Sequence, residues 1–367
     1  MPRDNSRVLV VDDSAVTRLM ICDRIAAAAG LSVAGSACNG REALAAIDAL
    51  RPDVVTLDLQ MPDMDGLAVL DVILDRSPLP VIMVSATTRA GAAVTLEALD
   101  RGAADYVAKP QPGGSVWAFH AELIRKIRTV AGMDIRRIIA ARGKQNLRKS
   151  KTLRDQAAAK QGADDCPAEL AGLCVALGIS TGGPPALTAL LESLRPPMPP
   201  IVVVQHMPPQ FTGPLASRLN SISALSVREA VHGDLLQPNC VFIAPGGSHL
   251  ELRGRTAQVR AVVHDGPTVS GHKPSVDVMM TSAAKIFGTN CLGVIMTGMG
   301  RDGANGCRAI RTAGGYVLGQ DEASSAVYGM NRVAYAEGNV DQQFGLHEAA
   351  AVIFRQVRRA RSPASVS

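Results

Sequence analysis

The chain has 367 residues, 47% hydrophobic and 19% charged, a globular composition whose length predicts two domains. No stretch approaches the roughly 18 consecutive apolar residues of a membrane span, and MPRDNSRVLV lacks the apolar core of a secretory leader, so a cytoplasmic protein without membrane insertion is expected. Cys22, Cys38, Cys166, Cys174, Cys240, Cys291 and Cys307 show no C-x-x-C pairing, which argues for reduced thiols rather than a disulfide frame or a zinc site. The net charge of +5 is unevenly spread: residues 1–124 carry −6, residues 125–167 carry +8, and residues 168–367 carry +3. An acidic domain, a basic joint and a near-neutral domain follow.

In the first domain, residues 1–125, apolar runs recur at Val8–Val11, Ser32–Ala37, Val54–Leu57, Pro80–Ser85 and Asp105–Val107. Helical patterns such as Ser14–Ala28 and Gly40–Ala49 separate them. This alternation predicts a five-stranded, doubly wound parallel sheet of flavodoxin type, whose ligands bind at the carboxyl ends of the strands. Asp12 and Asp13 close the first run, Asp58 the third and Ser85 the fourth, while Lys109 follows the fifth. Three crowded carboxylates repel one another unless a cation sits among them, so a Mg²⁺ site at Asp12, Asp13 and Asp58 is predicted. A lysine and a hydroxyl beside it would complete a phosphoryl pocket. Any one of these aspartates alone reads as a helix N-cap, and Lys109 alone as a surface charge. The motifs VDDSAVTR, LDLQMPDMDG, VSATT and DYVAKP resemble the receiver domain of bacterial two-component response regulators. That resemblance implies phosphorylation on Asp58, metal binding by Asp12 and Asp13, phosphoryl contacts from Ser85 and Lys109, and Tyr106 as an aromatic switch.

Residues 126–168 are rich in Lys and Arg and weakly apolar, which reads as a basic linker, partly helical or disordered. A docking segment for an acidic partner is the alternative. A nucleic-acid arm is disfavoured, because the run lacks aromatic residues and no helix-turn-helix follows.

In the second domain, residues 169–357, strand-like runs are Leu173–Ile179, Ile201–Gln205, Val241–Ala244, Cys291–Thr297 and Tyr316–Gln320, with an alternating hairpin over residues 248–263. A larger, mainly parallel α/β domain is predicted. Gly178-Ile179-Ser180-Thr181-Gly182 matches G-x-S-x-G, a turn that exposes a serine at a strand exit. The apolar spacing of Ala186, Leu187, Leu190 and Leu191 predicts a following helix, whose free N–H groups suit an oxyanion. The same strand–turn–helix equally suits a phosphate-binding loop, and the motif alone leaves both readings open. His206 ends the next strand on the same edge, and Asp302 reaches that edge through the turn Gly298-Met299-Gly300-Arg301. Strand-end geometry therefore selects Ser180, His206 and Asp302 as nucleophile, base and orienting acid. His249 is the competing base. His232, His264 and His272 fall in loops, Asp277 caps or starts a helix, and Asp234 and Asp265 fall in turns. Residues 358–367 read as a frayed tail.

GISTGGPPAL, QHMPPQFTGPLASRLN, VFIAPGGSHLEL, HDGPTVSGHKPSVDVMM and IMTGMGRDGANG together resemble the catalytic domain of chemotaxis protein-glutamate methylesterases over residues 172–345. Fused to a receiver, this identifies the chain as a member of that response-regulator family. The resemblance implies the same Ser180–His206–Asp302 roles, oxyanion support from Thr181 and the Met299 backbone, and no cofactor in the catalytic domain. It further implies methyl-accepting chemoreceptors as substrate, with ester hydrolysis and glutamine deamidation on their cytoplasmic helices. A receptor-coupled histidine kinase is the implied phosphodonor, and recruitment to receptor clusters the implied location. By the same resemblance the unphosphorylated receiver blocks the catalytic edge. Ile179 stands where the family has a small residue, and Asn331-Arg332 where it often has Pro-Lys, a change of little expected consequence for the chemistry. A receiver-linked DNA-binding regulator would instead show salt-sensitive DNA affinity, and a nucleotide-binding module would protect the Gly178–Gly183 loop.

Overall fold

The apolar runs of the first 110 residues become five parallel strands in the computed structural model: β1 (Ser6–Val11), β2 (Leu31–Ala37), β3 (Val54–Asp58), β4 (Val81–Ser85) and β5 (Asp105–Ala108). The structure describes residues 5–86, 88–110, 113–133, 135, 168–255 and 258–361. Two compact units divide the chain, residues 1–144 and 145–367.

The first sheet has the order β2-β1-β3-β4-β5. β3 and β4 are buried along their whole length, as central parallel strands must be, whereas edge strand β2 is only partly covered. Five helices intervene: α1 (Ala15–Ala26), α2 (Gly40–Leu50), α3 (Gly66–Arg76), α4 (Arg89–Arg101) and α5 (Val116–Val130). Each opens on a side-chain cap: Ser14, Asn39, Asp65, Thr88 and Ser115 accept from backbone N–H groups of the first turn. Such caps satisfy donors the helix itself cannot. Ser14 therefore lies outside the helix expected over Ser14–Ala28. Ile21 and Ile25 of α1 join Leu123 and Ile127 of α5 on Val8, Val10, Val54 and Ile82 in one core. Of the expected linker, residues 126–130 continue α5 as the sequence suggested. Residues 134 and 136–167 lie outside the described residues, as does the tail from 362.

In the second unit the order of elements is β6 (Cys174–Ile179), α6 (Gly183–Leu191), β7 (Ile201–Gln205), α7 (Pro209–Ile222), β8 (Ser226–Glu229), β9 (Cys240–Ile243), β10 (His249–Arg253) and β11 (Arg260–His264). There follow α8 (Val276–Phe287), β12 (Cys291–Ile295), α9 (Ala304–Thr312), β13 (Tyr316–Gln320), α10 (Met330–Ala336), β14 (Gln342–Phe344) and α11 (Ala349–Arg361). Seven strands form one parallel sheet, β14-β13-β12-β6-β7-β9-β8, and β10 pairs antiparallel with β11 as the expected hairpin. β8 and β14 were not expected. β8 carries the charged pair Arg228-Glu229, β14 is three residues long, and both sit at sheet edges where apolar patterning is weakest.

β6 lies between β7 on one side and β12 on the other. The chain winds outward from β6 first one way and then the other, so the crevice beyond its carboxyl end is a topological switch point, where open α/β sheets bind ligands. α8 covers that end closely. Leu250, Leu252 and Ala261 of the hairpin join Val276, Met279, Met280 and Ala283 of α8 in the same cluster as Cys174 and Ala176 of β6. A Cβ on Gly178 would stand 2.3 Å from Val276 Cγ1, so only glycine admits the helix there. Gly178→Ala is expected to destabilise the second unit by about 1–3 kcal/mol through overpacking. A urea midpoint equal to wild type would refute this close approach.

Candidate active site

Both units bring their chemistry-bearing residues to the carboxyl edge of a parallel sheet. In the first, Asp12 and Asp13 follow β1 and Asp58 closes β3. One carboxylate oxygen from each lies within 4.8 Å of the others. Lys109, just past β5, places Nζ 2.8 Å from Asp12 Oδ2 and 2.7 Å from Asp58 Oδ2. Burial pushes the Asp58 carboxyl above its ordinary range, against the opposing hydrogen bond and charge of Lys109. Three carboxylates against one ammonium leave a net negative pocket of hard oxygen donors, which fits a small divalent cation.

Ser85 ends β4 beside Asp58, but its hydroxyl is engaged elsewhere. It accepts from Thr95 Oγ1 of α4 at 2.7 Å and lies 3.4 Å from the Gly91 carbonyl. Tyr106 is buried, and Lys126 Nζ sits 4.6 Å from its ring centroid. Lys126 was counted with the basic joint in the sequence. It is buried in α5, 3.0 Å from Asp105 Oδ1 and 3.1 Å from Glu122 Oε1. Neither Thr95 nor Lys126 stood out in the sequence. The i,i+4 pairing of Glu122 with Lys126 was the available signal.

In the second unit, Ser180 is the first residue beyond β6 and His206 the first beyond β7. Ile179 pairs with Gln205, so the two side chains occupy adjacent positions of neighbouring parallel strands. The serine N–H donates to the Thr297 carbonyl at 2.9 Å, tying the turn to the exit of β12. α6 begins at Gly183 without a side-chain cap, yet its first turn does not offer the free N–H groups expected for an oxyanion: Gly183 N donates to the Ser180 carbonyl at 2.7 Å, and Pro184 and Pro185 carry no N–H. Gly298 permits the β12 loop to approach, since a Cβ there would stand 2.8 Å from Ser180 Cβ and 2.4 Å from Met330 Sδ. Thr181 is buried, and its carbonyl accepts from Thr297 Oγ1 at 2.9 Å. Met299 is half-buried in the same loop.

Asp302 meets His206 as the strand-end reading expected. Its Oδ2 lies 2.8 Å from His206 Nε2. A carboxylate only accepts, so this contact places the proton on Nε2 and the lone pair on Nδ1. Nδ1 is buried and has no hydrogen-bond partner among the described residues, so Ser180 Oγ is not hydrogen-bonded to it here. Asp302 has no solvent exposure and accepts three further bonds: Ser275 Oγ at 2.8 Å, Val276 N at 2.7 Å and Asp277 N at 3.0 Å. Burial works to raise its carboxyl, but the hydrogen bond and charge of His206 and the N–H groups of Asp277 and Val276 outweigh it. The net position is below the ordinary range.

The competing residues take supporting places. His249 uses both ring nitrogens, Nε2 on the Pro267 carbonyl at 2.9 Å and Nδ1 accepting from Ser275 N at 3.3 Å, which removes it as the base. Asp277 lies in the first turn of α8, as expected, yet it caps a different helix: Oδ1 accepts from Gly303 N at 2.9 Å and Gly306 N at 2.8 Å, at the start of α9. Asp234 accepts from Val231 N within its turn, and Asp265 pairs with Lys273. His232 Nδ1 bonds the Val263 carbonyl, and His264 Nε2 lies 3.6 Å from Glu251 Oε1. His272, placed in a loop by the sequence, stacks on His206. Asn331, thought of little consequence, is buried and donates to the Gln320 carbonyl and Ser325 Oγ, both at 2.8 Å.

A family model described as CheB methylesterase matches residues 175–353, and one described as response regulator receiver domain matches residues 8–116. A protein-glutamate methylesterase/protein-glutamine glutaminase 1 of Caulobacter vibrioides is 44% identical over 341 residues, covering 93% of this chain and 94% of that protein. The chain belongs to this methylesterase/glutaminase family. Another member, from Archaeoglobus fulgidus, is 41% identical over 351 residues, covering 95% of this chain and 97% of its own. The crystal structure of the Thermotoga maritima CheB methylesterase catalytic domain, 37% identical, matches with a TM-score of 0.50 over 51% of this chain and 99% of that domain. Among the described residues, no helix of this methylesterase-family chain is long and apolar enough to cross a membrane.

The depressed Asp302 carboxyl sets a pH dependence for this methylesterase unit. A carboxyl held below its unfolded value stabilises the fold above about pH 4 and loses that contribution as pH falls through the lower folded value. Asp302→Asn is therefore expected to lower stability at pH 7 by about 3 kcal/mol and to flatten the acid limb of a plot of melting temperature against pH. Parallel acid limbs in the two proteins would show that Asp302 is not the group responsible.

Proposed function

We propose that the chain hydrolyses glutamate γ-methyl esters, and deamidates specific glutamines, on the cytoplasmic helices of methyl-accepting chemoreceptors, giving sensory adaptation under control of receiver phosphorylation. The observation that carries this reading is the His206–Asp302 hydrogen bond, with Nδ1 unpartnered and Ser180 at the corresponding end of the neighbouring strand. The names of the relatives support the substrate class.

Ser180 Oγ attacks the γ-carbonyl as His206 Nδ1 takes its proton. Asp302 steadies the resulting imidazolium through Nε2–H. Thr181 and the Met299 backbone flank the oxyanion, a role in which fixed donors gain strength from the buried site. His206 returns the proton to the leaving methanol, or to ammonia from a glutamine. Water, deprotonated by His206, then releases the acyl group from Ser180.

In the receiver, Asp58 accepts a phosphoryl group from a receptor-coupled histidine kinase. Asp12, Asp13 and Asp58 are the residues that would hold Mg²⁺, which when bound offsets the charge of the transferring phosphoryl group. Lys109 already sits against two of these carboxylates and contributes a fixed positive charge. Phosphorylation adds charge and acceptor oxygens, against which Ser85 exchanges its bond with Thr95 for one to the phosphoryl group while Tyr106 registers the change. This reading places the protein in the cytoplasm at receptor clusters, with no part for nucleic acid or membrane insertion. It takes residues 1–125 as regulatory and 169–357 as catalytic.

Methanol release from methyl-labelled receptor membranes tests the proposal. Wild type should release methanol, and more with a small-molecule phosphodonor. Ser180→Ala should fall by at least ~10³-fold, and Asp58→Asn should lose the phosphodonor response. A fragment from residue 168 should exceed the unstimulated full chain. Full activity in Ser180→Ala would remove the serine mechanism. An intact phosphodonor response in Asp58→Asn would remove the switch.

A further inference from the structure

His272 occupies a place that the Ser180–His206–Asp302 scheme leaves without a role. Its ring lies face to face with that of His206, centroids 3.8 Å apart and planes only 3° from parallel. The residue ends a tight turn closed by paired hydrogen bonds, Val269 N to the His272 carbonyl at 3.1 Å and His272 N to the Val269 carbonyl at 2.9 Å. The central residues Ser270 (φ 52°) and Gly271 (φ 79°) are both left-handed, as the narrowest two-residue turns require. Ser270 Oγ then donates to Asp277 Oδ2 at 2.9 Å. The other oxygen of Asp277 holds Gly303 N and Gly306 N, immediately after Asp302. One carboxylate thus ties together the turn carrying His272 and the loop carrying Asp302.

The two ties restrain His206 in complementary ways. Asp302 fixes one edge of the imidazole, but a single hydrogen bond leaves the ring free to roll about the line joining Nε2 and Oδ2. Such a roll carries Nδ1 away from Ser180. A parallel ring 3.8 Å away blocks it on one face. Between two neutral rings such a stack is worth only a modest amount beyond the area it buries. The balance changes when His206 takes the serine proton, because a cation over an aromatic face is attracted to it. The stack is therefore worth most in the state through which acyl transfer passes, the condition for raising kcat rather than lowering KM.

We propose that His272 is a positioning residue for this hydrolase, holding the plane of the His206 imidazole during acyl transfer. The inference rests on the triad reading above. The test compares full-length wild type, His272→Leu, His272→Phe and His206→Gln in methanol release from methylated receptor membranes with phosphodonor. His272→Leu keeps bulk without an aromatic face and is expected to lower kcat about ten- to a hundredfold with KM little changed. His272→Phe keeps the face and is expected to recover most of that loss. Wild-type kcat in His272→Leu, a change confined to KM, or a His272→Phe enzyme as slow as His272→Leu would each overturn the proposal. Wild-type activity in His206→Gln would instead overturn the triad reading beneath it. If circular dichroism shows His272→Leu to be unfolded, Ser270→Ala carries the test, since it removes only the hydroxyl that ties the turn to Asp277. A several-fold lower kcat at constant KM is then expected, and an unchanged kcat overturns the proposal.

Discussion

With no solvent exposure, the Asp302 carboxylate depends on protein donors for its charge, and four converge on it from two parts of the chain. His206 comes from the end of β7, Ser275 from the cap of α8, and the Val276 and Asp277 N–H groups from the first turn of that helix. An ionised carboxylate buried without such partners is too costly to keep. The same four bonds therefore stabilise the anion, hold the start of α8 to the loop after β12, and fix one edge of the His206 imidazole. Two N–H groups of a helix amino terminus give the arrangement its sign, since that end carries the partial positive charge of the backbone.

The receiver meets a similar constraint with opposite economy. Its carboxylates also gather at the carboxyl edge of a parallel sheet, but a lysine replaces the helix terminus as the internal counter-charge. Lys109 cannot neutralise all three. Burial raises the Asp58 carboxyl against the pull of Lys109, in contrast to the depressed Asp302, whose donors outweigh its burial. An anion left under-compensated is suited to receive a cation and a phosphoryl group. One fully compensated by fixed donors is suited to orient a base. The two units share a fold class and an edge, and the local charge balance separates their chemistry.

Most of the fold was legible because central parallel strands are continuous apolar runs bounded by glycine and polar residues. β6 and β7 read as buried strands without ambiguity, and Ser180 and His206 could be placed by counting to their ends. Asp302 was reachable only through the glycine-rich turn after β12. The edge strands β8 and β14 were not legible, since half-exposed and very short strands lack a distinctive period. Nor were the supporting partners. Asp277 declares itself by sequence as a helix-start residue, but nothing local shows that it caps α9 rather than α8. Asn331 and Lys126 belong to the same class: each is a polar side chain whose buried partners only the fold brings to it, the Gln320 carbonyl for Asn331 and Asp105 for Lys126. His272 sits in a glycine-flanked loop, and only the folded turn shows which ring it faces.

Adjacent strand ends place Ser180 and His206 at neighbouring positions of the sheet edge, but neighbouring positions do not set orientation. Strands separated by about 4.8 Å leave a terminal side chain several rotamers. What narrows them here is close approach without bulk. Gly178 lets α8 descend onto β6, and Gly298 lets the β12 loop press against the serine. Each glycine gives up backbone rigidity where it stands, and the hydrogen bonds of neighbouring residues restore it: Thr297 takes the serine N–H, and Asp277 fastens the loop that follows Asp302. This edge is thus held by contacts that cross between elements rather than by any single rigid turn. A substitution several residues from Ser180, in the first turn of α8 or in the Val269–His272 turn, acts on the geometry of this edge through the same frame as one beside it.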